Sequence, residues 1–154
     1  MPHFAANLTM MFTEVPFAER FEAAAQAGFD AVEYLFPYEL PPETVGELLR
    51  KNGLTQALFN MPPGDWAAGE RGLASLPDRR DEFRRSVETA LTYARATGCK
   101  TLHMMAGNAD SADPLARRTY LDNLGYAADQ ASGAGVTLVI EPINRRDMPA
   151  YFLN

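Results

Sequence analysis

Five polar residues stand at the C-terminal ends of short apolar runs: Asn7 in FAANL, Glu33 in AVEYLF, Asn60 in ALFN, His103 in TLHMM and Glu141 in VTLVIEP. A carboxylate buried among apolar side chains is costly unless it is paired, protonated or bound to a cation. Placed beside an acidic carbon, it takes up a proton and returns it, while amides and imidazoles hold the neighbouring oxygens. Glu141 is the sharpest case. It follows Leu138, Val139 and Ile140 in a run that reads as buried on both faces, and Pro142 ends the run's backbone donors at once. The alternative is a strand-end carboxylate that reaches solvent or caps a loop. Glu33 has the same placement, with an ion pair as its alternative. His103 reads as a substrate contact or as a hydrogen-bonded core histidine.

The stretch NMPPGDWAAGERGLASLP, residues 60–77, is long, rich in glycine and proline, and carries one Trp. Loops of this length in compact domains are usually functional or disordered. Trp66 and the Gly69-Glu70-Arg71-Gly72 turn favour an ordered lid over the C-terminal face, with Trp66 and Arg71 near a small anionic substrate. Arginine grips a carboxylate through two parallel hydrogen bonds. Cys99 is the single cysteine, which excludes an internal disulfide and points to a reducing compartment. It reads as structural, and the Met pairs at 10–11 and 104–105 read as core filler.

The elements that must position these groups alternate in type. Apolar runs at 3–8, 30–36, 54–60, 100–107 and 136–142 read as strands. Helical patterns fill 16–28, 41–53, 80–98 and 113–135; prolines open the first, second and fourth, and glycines close all four. In the third of these, Phe83, Val87, Leu91 and Ala94 recur at three-to-four spacing. Five strands separated by four helices, without hairpin signals, imply a parallel sheet. Such a sheet is doubly wound or part of a (β/α)8 barrel. No Gly-x-Gly-x-x-Gly follows the first run, and the polar residues gather where runs end, so the barrel is favoured. A whole barrel takes about 250 residues. The 154 residues read as one domain, a partial barrel of five parallel strands and four helices.

Composition narrows the partners. The chain is 47% hydrophobic and 22% charged, ordinary for a globular domain. A net charge of −6 argues against nucleic acid, whose phosphates demand a clustered basic excess. The basic runs PDRRDEFRRS and LARRTY read as solvated helix faces. The N-terminus has no basic region before an apolar core, and no run approaches the roughly 18 apolar residues of a membrane span. The expectation is a soluble cytoplasmic protein.

FAANLTMMF, GFDAVEYLFPY, NMPPGDWAAGERGLASLP and LVIEPIN together resemble the hydroxypyruvate isomerase family of xylose isomerase-like (β/α)8 barrels. The resemblance spans essentially the whole chain and matches the N-terminal part of such a protein. It implies interconversion of hydroxypyruvate and 2-hydroxy-3-oxopropanoate, with related oxo-acid or sugar isomerases and epimerases as the alternative. It further implies two glutamates as acid and base, often around a divalent metal such as Mg or Mn. Glu141 matches the first glutamate and would also touch the metal. The second glutamate and other ligands belong to later strands, so the resemblance implies half a site and a truncated chain, inactive alone. Asn7, Asn60, Trp66, Arg71 and His103 are the expected substrate contacts. Many relatives place a histidine before the third-strand asparagine, where this chain has Phe59. A different reading is a non-catalytic half barrel that assembles, as a homo-oligomer or with a second half, through its open edges.

Overall fold

The computed structural model describes residues 2–154. Strands β1 (Ala6–Asn7), β2 (Ala31–Tyr34), β3 (Thr55–Asn60), β4 (Thr101–His103) and β5 (Thr137–Val139) form one sheet in the order β1-β2-β3-β4-β5. Every neighbouring pair is parallel. Helices α1 (Phe17–Gln26), α2 (Pro42–Lys51), α3 (Arg80–Thr97) and α4 (Pro114–Gly133) connect them, with a 3-10 turn at Pro77–Arg79 before α3. α1 packs on α2, α2 on α3 and α3 on α4. Sequential strand order with right-handed crossovers produces this single helical layer. It is the arrangement of consecutive units of a (β/α)8 barrel.

Local chemistry sets the helix limits. Asp113 caps α4 by accepting a hydrogen bond from the Leu115 amide at 2.9 Å, and Pro114 follows as the first helical residue. α3 stops at Gly98, which turns left-handed with φ 72°. Phe83, Val87, Ala90, Leu91 and Ala94 form the buried stripe of α3, as the three-to-four spacing requires.

The core lies between the helical layer and one face of the sheet. Phe17, Phe21 and Tyr34 meet edge-to-face with ring centroids 5.2–5.8 Å apart, and Phe59 adjoins Tyr34. Phe21, Phe59 and Phe83 are fully buried. Each such side chain contributes up to about 3 kcal/mol of transfer free energy. Cys99 is buried here too, and burial pushes its thiol pKa up, which keeps it protonated and inert.

Two sequence expectations need correction. The run at 3–8 is a strand only over Ala6–Asn7, because β1 is an edge strand with a partner on one side. Met104 and Met105 are buried as core filler, but Met10 is 73% exposed and Met11 is also exposed. They lie in the β1–α1 loop, on the C-terminal side of the sheet, where no helix covers them.

Candidate active site

The sheet's second face, at its C-terminal end, carries a cleft of about 480 Å³ lined by residues from all five strands and their exits. It brings together Asn7, Glu33, Asn60, His103 and Glu141, the five strand-end polar residues.

A β-bulge puts Asn60 there. Val32 pairs with Gln56 but Glu33 pairs with Leu58, so Ala57 is an extra residue in β3. The bulge resets the alternation. Before it, Leu54 and Gln56 point to the helices, and Gln56 accepts a hydrogen bond from the Tyr34 hydroxyl. After it, Phe59 points to the helices while Leu58 and Asn60 face the cleft. Pairing then aligns the polar groups across strands. Asn7 lies opposite Glu33, Asn60 opposite His103, and His103 opposite Val139, two residues before Glu141.

Two polar pairs follow. The Asn7 amide donates to Glu33 Oε1 at 3.0 Å, and Asn7 Oδ1 accepts from the Thr9 backbone at 3.0 Å. Both ends of Asn7 are thereby fixed. His103 Nδ1 lies 3.1 Å from Asn60 Oδ1. An amide oxygen can only accept, so Nδ1 carries the proton and Nε2 of the neutral ring is an acceptor. His103 is 6% exposed, and Nε2 has no protein partner. Burial lowers the His103 pKa, and the nearby Glu141 carboxylate opposes that shift in part. The ring is neutral at pH 7.

This imposes a pH dependence on stability. In the unfolded chain His103 titrates near 6.5, and in the folded protein lower. Between those values the unfolded state binds more protons, so stability is complete above about pH 6.5 and falls as pH drops toward the folded value. His103→Asn should flatten the difference between urea midpoints at pH 7.5 and pH 5.5. An unchanged difference would place the dependence elsewhere; the other histidine, His3, is exposed.

Glu141 departs from expectation. It is exposed, because β5 is the sheet's edge, Val139 is only half-buried and Ile140 is 43% exposed. A strand buried on both faces needs neighbours on both sides, and β5 has one. Glu141 still lines the cleft, and its charge acts on both His103 and the Tyr151 hydroxyl.

The 60–77 loop is ordered and docks at the C-terminal end of β4. Ser75 donates to Ala106 and Gly107 donates to Arg71, while Met61 donates to His103. Arg79 pairs with both Glu70 and Glu82 and holds both carboxyls below their ordinary pKa. Trp66 and Arg71 do not line the cleft. The Arg71 guanidinium stacks 3.7 Å above Trp66, and Trp66 meets Phe36 edge-on. Conversely, Leu58 and Val139 line the cleft although nothing in their type marks them for it, Met10 lines it where the sequence suggested core, and Glu33, which the sequence left open between two roles, lines it as well. The phase shift at Ala57 removes Gln56 from the face that Leu58 and Asn60 share.

Among the described residues no three His, Cys, Asp or Glu side chains gather closely enough to hold a metal ion. Glu141 follows the end of β5 and Glu33 stands on β2, with two strands between β5 and β2. These residues do not build a metal centre by themselves. Among the described residues no helix is long and apolar enough to cross a membrane.

Comparison with known proteins agrees with this geometry. The model of the xylose isomerase-like TIM barrel family matches residues 21–153. A 2-oxo-tetronate isomerase of Cupriavidus necator is 57% identical over 100% of this chain and 60% of its own length. Hydroxypyruvate isomerase of Escherichia coli is 44% identical over 99% of this chain and 60% of its own. A crystal structure from Brucella melitensis, described as an AP endonuclease of family 2, superimposes with TM-score 0.95 at 52% identity, over 99% of this chain and 60% of that one. The chain thus spans about 60% of the length of the curated relatives it matches. Its sequential parallel sheet, its C-terminal cleft and the family match agree: this chain belongs to the xylose isomerase-like TIM barrel family.

Proposed function

We propose that the cleft serves the isomerisation of a small hydroxylated 2-oxo acid, with Glu141 as the residue that moves the carbon-bound proton. The observation that carries this reading is the convergence of Glu141, His103, Asn60, Glu33 and Asn7 from five strands on one C-terminal cleft. Active sites of such barrels are built from strand ends at that face. Hydroxypyruvate, passing to 2-hydroxy-3-oxopropanoate, is the three-carbon substrate. The 57% identity to a 2-oxo-tetronate isomerase favours the four-carbon acid. Cytoplasmic action and a homo-oligomer formed through the β1 and β5 edges belong to the same reading.

The chemistry balances on side chains of this chain. Glu141 accepts the proton on C3, and the bonding pair becomes the C2–C3 double bond. The C2 carbonyl oxygen takes the displaced electron pair and becomes an enediolate oxygen. Nε2 of neutral His103, held by Asn60, takes the proton of the C3 hydroxyl and delivers it to the C2 oxygen. Glu141 then returns its proton to C2, and the C3 oxygen, left with the negative charge, becomes the new carbonyl. Trp66 and Arg71 contact substrate only through movement of their loop. Glu141 would be one ligand of a divalent cation such as Mg or Mn, whose charge would stabilise the substrate oxygens, with further ligands needed from outside these residues.

The Brucella neighbour's description names a different activity. The net charge of −6 and a cleft lined by two carboxylates and no Lys or Arg do not favour a phosphodiester backbone. The deciding experiment fuses this chain to the remaining units of the Cupriavidus necator relative. The fusion is incubated with hydroxypyruvate or 2-oxo-tetronate in deuterated water. Isomer formation with deuterium incorporated at carbon supports the reading. Absence of both with both acids rejects it.

A further inference from the structure

We infer that the Asn7–Glu33 pair is a specificity element, which takes the hydroxyl on the carbon beyond the reacting pair and so selects a four-carbon acid over a three-carbon one. The inference rests on the isomerase reading and adds to it the substrate's length and orientation.

Glu33 Oε1 is held by the Asn7 amide, and Asn7 is itself pinned by the Thr9 backbone. Among the described residues the hydrogen bond to Glu33 is made at Oε1, which leaves the other carboxylate oxygen open, and Glu33 is half-buried in the cleft wall. A carboxylate fixed through one oxygen presents the second as a preorganised acceptor. A buried polar atom of the cleft without a protein partner, His103 Nε2, is also an acceptor, and so are the oxygens of Glu141. Acceptors facing one space ask for donors, and the donors of a sugar acid are its hydroxyls.

Charge then sets the direction. The lining residues include Glu33 and Glu141 and no Lys or Arg. A substrate carboxylate beside Glu33 would be repelled, whereas a hydroxyl forms a charge-assisted hydrogen bond there. The acid therefore points its hydroxyl tail toward the β1–β2 side and its reacting carbons toward Glu141. A three-carbon acid has no carbon beyond the reacting pair except its carboxylate and leaves Glu33 unused. A phosphate at the tail meets the same negative charge and is refused.

The test uses the 154-residue chain, with stable hydroxy acids as probes: threonate with four carbons, its 4-phosphate, and glycerate with three. Binding is read by nuclear magnetic resonance at the Asn7 side-chain amide, which reports directly on the pair. Threonate is expected to shift this signal and to bind roughly tenfold more tightly than glycerate, the gain of one hydrogen bond to a charged group. The phosphate ester should bind more weakly than threonate. Glu33→Gln keeps the shape and an oxygen for Asn7 but places a neutral donor where the open oxygen was. It should bring threonate and glycerate to within twofold of each other and relieve the exclusion of the phosphate. Equal affinity for threonate and glycerate in the unaltered chain, an undiminished preference in the variant, or no binding of either acid overturns the inference. None of these results touches the isomerase reading, which fails only on the deuterium experiment with the fused chain.

Discussion

Glu141→Gln, in the chain fused to the remaining units of the Cupriavidus necator relative, is expected to lower turnover by on the order of 10²-fold or more and to leave folding nearly unchanged. Glutamine keeps the size and the hydrogen-bonding oxygen but cannot take up a proton near neutral pH. Because Glu141 is exposed at the edge strand's exit, its replacement removes little from the core. A loss of turnover with unchanged urea midpoint therefore assigns the residue to chemistry. Loss of kcat with KM preserved would place the effect on proton transfer rather than on substrate binding. The 154-residue chain on its own is expected to give no metal-dependent turnover, because among the described residues no three ligating side chains meet. Robust turnover by that chain would require a second carboxylate from Glu33, Glu70 or a neighbouring copy. Wild-type turnover in the fused Gln variant would return Glu141 to a strand-end residue that reaches solvent.

Much of this arrangement is legible in the residue order, and what is not has definite physical causes. Helix limits are local events: Asp113-Pro114 opens α4 and Gly98 closes α3, and both signals work over a few residues. Strand order follows from the right-handed crossover, which applies to every strand–helix–strand unit alike. The phase of β3 is not local. Leu54, Gln56, Leu58 and Asn60 alternate evenly in the sequence and suggest one face. Pairing with β2 inserts Ala57 as an extra residue, and Gln56 ends up on the opposite side from Asn60. Exposure at Glu141 and at Met10 is likewise set by which element lies next to them. An apolar run shows that a segment can be buried, and only the neighbours decide whether it is. The same limit applies to Trp66 and Arg71, which the loop's composition marks as contacts but which stack on each other outside the cleft.

The loop that carries them gives the second large expected effect. Gly72→Ala should destabilise the chain by roughly 2–5 kcal/mol, the sum of a strained backbone and a steric overlap. Gly72 adopts φ 115°, a conformation that a side chain resists, and it bridges Ala106 in antiparallel fashion. A Cβ there would press into the carbonyl and the Cβ of Met105, which belong to the rigid exit of β4. Gly69→Ala supplies the control. It has φ 91°, with nothing within 4 Å of the added atom, so it carries the backbone strain without the overlap. The two variants should differ by at least about 1 kcal/mol in urea unfolding, with Gly72→Ala the weaker. Hydrogen exchange should speed up at the Ser75 and Gly107 amides, which bind Ala106 and Arg71 across this junction at 2.9 and 3.1 Å. Exchange at Met61, whose amide binds the His103 carbonyl at 2.9 Å, tells whether the disturbance reaches the cleft. A protected Met61 amide with exposed Ser75 and Gly107 would mean that the loop is clipped onto a self-supporting site. Loss of protection at all three would make the loop a buttress of the His103–Asn60 pair, so that its composition would serve the site from behind. Gly72→Ala with the stability of Gly69→Ala would remove the overlap with Met105 from the account.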